Sequence, residues 1–231
     1  MGNIKDIITS FNETLAKSKL TDVAEEMIET IIDNNISDGL VKDIPIINTL
    51  VGIVQSTYNI SNYLLLRKIT AFIFKIKDIS PEKRNKIIKD IDKSGKYKEK
   101  VGITLLSIID KCESVEKAEY IAILFRSFLK EDIGYECFMY GAHIIQRSYL
   151  EDFKTFIFDG TTWKMTEDAT DEICLGLYYL DITLNLNEYR KGILSGVKEG
   201  ELDEVGAYIT QMGVTLRSIF LDAYEEGLYK I

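Results

Sequence analysis

The one histidine in the chain, His143, stands between Ala142 and Ile144 in a stretch with helical periodicity. A zinc centre needs further His or Cys at ligand spacing, and a Ser or Cys nucleophile needs a base oriented by a third group. Neither pattern surrounds His143. The preceding window, Cys137-Phe138-Met139-Tyr140, also lacks the Arg that His-based RNase modules place there. His143 reads as a structural residue. Cys112, Cys137 and Cys174 form no Cys-x-x-Cys pair and sit among apolar neighbours, the pattern of reduced, buried thiols in a cytoplasmic protein. Glu25, Glu29 and Asp33 share one predicted helix face, but such a row is ordinarily solvated. No glycine-rich phosphate loop occurs, and Gly192-Ile193-Leu194-Ser195-Gly196 has its serine at the wrong position for a nucleophile elbow. The expectation is a non-enzymatic protein with no catalytic residue, metal ligand or cofactor.

Charge is more informative than chemistry here. The 231 residues carry a net −9, but unevenly. Residues 1–43 hold 4 basic and 9 acidic side chains, and residues 44–63 hold neither. Residues 64–100 hold 12 basic and 5 acidic, and residues 101–231 hold 12 and 23. Residues 44–66 form an uncharged run of 23 residues, about 34 Å as a helix. Asn48, Gln55, Asn59 and Asn62 interrupt it, and side-chain amides are costly in lipid. The run therefore reads first as a buried core helix. An apolar helix followed by a basic flank is also how proteins reach anionic lipid. That pairing nominates Ile46, Leu50, Ile53 and Val54 with Arg67, Lys68, Lys83, Arg84, Lys86 and Lys89 as a candidate membrane or partner surface. The acidic balance elsewhere makes nucleic acid a poor partner.

The elements that would position these groups are mostly helices. Ile4, Ile7, Ile8, Phe11 and Leu15 make one apolar stripe, and Thr21 can cap a helix carrying Val23, Met27, Ile28 and Ile31. One long element spans 44–75, and Ser80-Pro81-Glu82 opens a basic helix that Gly95 ends. Helices near 101–112, 115–130 and 135–155 follow, with Leu105, Ile109, Ile121, Phe125, Phe138 and Ile145 as their common core. Phe156-Ile157-Phe158-Asp159-Gly160 then predicts a β-hairpin over 156–165, because Asp-Gly between β-formers favours a tight turn. A helix from Thr166 through Leu177 and a last helix over 201–226 complete the chain. The expected fold is mainly α, a multi-helix bundle with one small hairpin. Its expected domains are a helical one at 1–155 and a smaller hairpin-plus-helices one at 156–231.

Three stretches carry a family likeness. They are Lys42-Asp43-Ile44-Pro45-Ile46-Ile47-Asn48-Thr49-Leu50-Val51, Lys77-Asp78-Ile79-Ser80-Pro81-Glu82-Lys83-Arg84, and the block Lys117 to Phe153. Over residues 40–175 the chain resembles a group of uncharacterised bacterial and prophage-carried helical proteins. The resemblance implies a setting in phage–host conflict, no known catalytic residue, and a winged-helix-like segment over Phe156 to Ile173. The functional expectation is an interaction protein of a bacterium or phage. It would act through a protein partner or self-association, in the cytoplasm or peripherally at the inner membrane face. A DNA-associated winged-helix regulator and a carboxylate-based enzyme are the alternatives.

Overall fold

The computed structural model describes residues 4–20, 44–57, 59–180 and 206–229. Ten α-helices and one three-stranded sheet lie within them, a mainly α fold with a small β element. The chain divides into two compact units, residues 1–146 with 223–231, and residues 147–222. The expected boundary at 155/156 falls inside a helix, Leu150–Asp159. The helix predicted after Thr21, with Glu25, Glu29 and Asp33, lies outside the described residues, as does Gly192-to-Gly196.

The first unit contains α1 (Ile4–Lys17), α2 (Pro45–Thr57), α3 (Ile60–Lys75), α4 (Pro81–Lys93), α5 (Val101–Lys111), α6 (Val115–Lys130) and α7 (Tyr135–Arg147). The single element expected over 44–75 is two helices. Asn59 adopts an extended conformation and its side chain accepts from the Ser61 amide at 2.8 Å, so it caps α3 as a new start. α4 begins as its sequence demands, with the Ser80 hydroxyl accepting from the Lys83 amide and Pro81 in the first turn. The α5 amide of Val101 is met by Asp92 at 2.9 Å, a cap contributed from α4. Ser114 caps α6.

α6 is the centre of this unit. Ten of its residues are buried, and it packs against α3 more extensively than any other pair of elements does. Leu105, Ile109, Ile121, Phe125, Phe138 and Ile145 are fully buried, as the periodicity requires. The Phe125 ring lies 5.7 Å from Phe72 and 5.3 Å from Phe138, within the range for favourable aromatic pairs.

The second unit holds α8 (Leu150–Asp159), β1 (Trp163–Met165), a 3₁₀ turn (Thr166–Ala169), α9 (Thr170–Leu175), β2 (Tyr178–Leu180), β3 (Gly206–Ile209) and most of α10 (Gln211–Glu225). Several expectations are corrected here. The helix expected over 135–155 breaks before Leu150, and Tyr149 is exposed. Phe156, Ile157 and Phe158 are helical, and Asp159-Gly160 ends α8 instead of turning a hairpin. Gly160 has φ +69°. Left-handed backbone serves a helix C-terminus as well as a tight turn, so the dipeptide alone could not distinguish them. The helix expected from Thr166 through Leu177 is a 3₁₀ turn plus the short α9, stopped by Gly176. The expected 201–226 helix begins only at Gln211, and residues 206–209 are a strand. Thr210 makes that boundary, its hydroxyl accepting from the Gly213 amide and donating to the Gly176 carbonyl.

Strand order is β1-β3-β2, all antiparallel, so the last strand in sequence is the central one. The inner face of the sheet carries Lys164, Tyr178 and Ala207, and packing there joins Phe156 to Tyr178. Phe153 stands edge-on to Phe220 of α10 at 5.4 Å.

One interaction recurs at the helix ends. Arg84 of α4 is fully buried and donates to the carbonyls of Thr14 and Ser18, closing the end of α1. Lys68 donates to Asp110 O at 2.9 Å at the end of α5, and Lys83 to Lys130 O at the end of α6. Lys117 reaches Gln146 O at 3.1 Å at the end of α7. Lys75 reaches Leu228 O beyond α10, and Arg217 takes Phe156 O and Thr161 O at the end of α8. Each cation supplies donors to carbonyls at or just beyond a helix end, most of them without an intrahelical partner, and sits at the negative end of a helix dipole. Removing Arg84 takes the donor from the Ser18 carbonyl and leaves the Thr14 carbonyl with only the Ser18 amide. Arg84→Met should therefore lower the unfolding free energy by about 2 kcal/mol, whereas Lys86→Met on the exposed face of α4 should change it by less than about 0.5 kcal/mol. Urea denaturation of the two variants measures the difference.

Candidate functional site

The surface nominated from sequence is not assembled. Ile46, Leu50 and Ile53 are buried on α2, and Val54 is half-buried. Lys68 and Arg84 are buried at helix ends, and Lys83 is committed to Lys130 O. Arg67 is half-buried beside the Tyr63 ring, with its Nε buried and without a hydrogen-bond partner. Only Lys86 and Lys89 of the six nominated cations are exposed. Beyond these, Lys77 lies 3.7 Å from the Phe74 ring centre and Lys96 pairs with Glu136 at 2.6 Å. The first half of the basic stretch, Arg67 to Arg84, thus works inside the fold, whereas Lys86, Lys89, Lys93, Lys96, Lys98 and Lys100 are exposed. Half of a run of positive charge in sequence became internal fastening because each helix presents only some of its residues to water. Among the described residues, no helix is long and apolar enough to cross a membrane.

The other candidates from sequence separate in the same way. His143 is exposed on α7. Cys112 is buried, donates to Ile108 O at 3.3 Å, and burial pushes its thiol up to about 11, so it is no nucleophile at neutral pH. Cys137 is half-buried, and its thiol is likewise raised by burial. Cys174 is exposed, contrary to the expectation of three buried thiols. It lies near the short α9 end, where the helix is too brief to bury that face. No group of three or more His, Cys, Asp or Glu that could hold a metal ion occurs among the described residues.

Two concavities carry charged groups. One, of about 740 Å³ in the first unit, is lined by Lys75, Asp78, Glu119, Arg126, Glu226 and Tyr229, among others. Its charges face one another. Arg126 grips Asp78 through two nitrogens, with Nη2–Oδ2 at 2.7 Å, and Glu226 at 2.8 Å. Burial raises the Glu119 carboxyl, and Lys75 at 3.8 Å opposes that rise. The second, about 490 Å³ in the second unit, includes Lys164, Asp168, Asp171, Glu172 and Cys174. Lys164 stands between Asp159 at 2.7 Å and Glu172 at 2.9 Å, and Arg217 adds its charge 3.9 Å from Asp159. The first cluster joins α3 and α6 to the residues after α10, and the second holds α8, β1, α9 and α10 together. None contains an activated nucleophile beside a base.

The feature that stands apart is the outer face of the sheet. Trp163 is directly opposite Tyr208, and Tyr208 is directly opposite Tyr179, so the three rings form a row across all three strands. They are 41%, 40% and 50% exposed. The Tyr179 and Tyr208 ring centres are 6.0 Å apart. Gly206 permits the row: a Cβ there would stand 2.0 Å from the Trp163 indole Nε1, so only glycine lets the ring lie over β3. Sequence reading missed this row because Tyr208 was expected in a helix. The alternation of Trp163 and Met165 against Lys164 was its one local sign.

No protein-family model, curated protein or solved structure matches the chain.

The ion cluster gives a pH signature. Burial works against the Asp159 carboxylate, but bonds from Lys164 and Thr161 with the nearby charge of Arg217 outweigh it and hold its pKa below 3.8. A carboxylate lowered on folding stabilises above its unfolded pKa, and that contribution is lost as pH falls through the folded value. Asp159→Asn should therefore reduce stability near neutral pH and flatten the decline of melting temperature below pH 3.8, measured by thermal unfolding across the acid range.

Proposed function

We propose that this protein acts by contact with another protein, without catalysing a reaction, and that the second unit presents the contact surface. The observation that carries this reading is the row of Trp163, Tyr208 and Tyr179 on the outward face of the sheet. Exposed aromatic rings grouped on a rigid sheet are costly to leave in water, and Trp and Tyr dominate the energetic centres of protein interfaces. The likeness of residues 40–175 to prophage-carried helical proteins supports phage–host conflict as the setting. An anionic leaflet is a poor fit, because the apolar residues Ile46, Leu50 and Ile53 that would accompany the basic stretch are buried in the first unit and half of its cations serve inside it.

A DNA-associated winged-helix reading has one specific observation in its favour. The order β1-β3-β2, with a helical segment between β1 and β2, follows winged-helix connectivity. Charge argues against it. The segment that would meet DNA, Thr166–Ala169 with Thr170–Leu175, carries Glu167, Asp168, Asp171 and Glu172 and no cation. Phosphate would be repelled there.

The test uses tagged full-length protein expressed in bacterial cells with and without phage. A defined protein should co-purify with the wild type and be lost with Tyr179→Ser/Tyr208→Ser at an unchanged melting temperature. A nuclease or nucleotide-consuming turnover of the purified protein, abolished by one point mutation, would overturn the reading. So would a salt-dependent shift of duplex DNA.

A further inference from the structure

The two faces of the small sheet treat aromatic rings differently. On the inner face the rings carry cations. The Arg217 guanidinium lies 4.5 Å from the Phe156 ring centre and 5.9 Å from Tyr178, and Lys164 lies 5.5 Å from Tyr178. On the outer face Trp163, Tyr208 and Tyr179 have no cation over them among the described residues, although they are the ring types that attract one best. Residues 147–222, the second unit, contain seven basic and fourteen acidic side chains, a net −7. Of the four described cations, three are committed, Lys154 to Glu151, Lys164 to Asp159 and Glu172, and Arg217 to carbonyls, while Arg147, at the first position of the unit, is exposed.

We infer that the outer face of the sheet binds an arginine-rich segment of a partner protein, with guanidinium groups stacked on the row Trp163–Tyr208–Tyr179. The inference rests on the protein-contact reading above and names the chemistry of the partner. Charge selects this occupant. A nucleic acid or an anionic leaflet meets net −7 with like sign, and a second copy of the unit brings −7 against −7. A neutral apolar surface would satisfy the rings but make no use of the unit's net negative charge. Arginine satisfies both, because its planar guanidinium stacks on aromatic faces and is more weakly hydrated than the lysine ammonium.

Trp163 is the only tryptophan in the chain, so its fluorescence reports on this face directly. The probes are an Arg-Gly repeat peptide, a Lys-Gly peptide of equal charge, a single-stranded oligonucleotide and phosphatidylserine vesicles, each titrated into the full-length protein. The Arg-Gly peptide should change the emission saturably and bind more tightly than the Lys-Gly peptide. Tyr179→Ala/Tyr208→Ala, two rings fewer, should weaken Arg-Gly binding about tenfold. Equal binding of the two peptides, or binding that ignores the double variant, would overturn the inference by reducing it to general acidity. Trp163 responding to the oligonucleotide or vesicles instead, or a change of emission with protein concentration alone, would overturn it too.

A measurement on the unaltered protein guards against a variant that fails to fold. Caesium should quench Trp163 more efficiently than iodide, each relative to free tryptophan amide, and the reverse order would remove the charge argument. The co-purification experiment keeps the two readings apart. A partner lost with Tyr179→Ser/Tyr208→Ser, together with no Arg-Gly binding, overturns the arginine-rich occupant and leaves protein contact standing. A partner retained by that variant overturns both.

Discussion

An α-helix that ends inside a protein leaves up to four carbonyl oxygens without intrahelical donors, and water cannot reach them all. In this chain neighbouring helices supply the missing donors through long cationic side chains. Arg84 ties α4 to the end of α1, Lys68 ties α3 to the end of α5, and Lys117 ties α6 to the end of α7. Thr14, whose carbonyl Arg84 holds, also accepts the Ile46 amide through its hydroxyl at 3.1 Å, so the start of α2 joins the same fastening. The packing of the first unit depends on these links as well as on its aromatic core. They are directional where hydrophobic burial is not, and so they fix which helix end meets which neighbour.

That use of charge reshapes the question of function. A stretch with twelve basic residues suggested a surface for lipid or acidic partners. In the fold, Lys68, Lys75, Lys83 and Arg84 face carbonyls, Lys77 faces a ring and Lys96 faces a carboxylate. What remains outside is interleaved with Glu82, Asp90, Asp92 and Glu99. The same economy appears in the second unit, where Arg217 and Lys164 serve α8, α9 and the inner sheet face. In the second unit, Lys164 and Arg217 drawn inward leave the sheet's outward face to aromatic rings.

The second unit also shows how a short sheet can separate two environments. Three strands of three or four residues alternate Trp163, Tyr179 and Tyr208 outward with Lys164, Tyr178 and Ala207 inward. The inward rings are held by Arg217, whose Nη2 reaches the Tyr178 hydroxyl at 2.9 Å. Rigid backing of this kind keeps the outward rings in a fixed row, which lowers the entropy cost of engaging them.

By itself the sequence determined the helical class, the caps at Ser80 and Ser114, and the core of Leu105, Ile109, Ile121, Phe125, Phe138 and Ile145. These follow from local preferences and from a period of 3.6, both readable within a dozen residues. Tertiary structure alone decided the rest. Asp159-Gly160 as a helix end and residues 206–209 as a central strand each required knowing what the neighbouring chain offers, whereas the Asn59 restart is a local cap that the unbroken apolar run concealed. β3 pairs with Trp163–Met165 some forty residues earlier, and no local pattern encodes a register across that distance. The fate of Arg84 and Lys68 was hidden for a related reason. A charged side chain is buried only when a distant helix end supplies the oxygens that offset its desolvation, and those oxygens belong to the backbone, which carries no sequence signal.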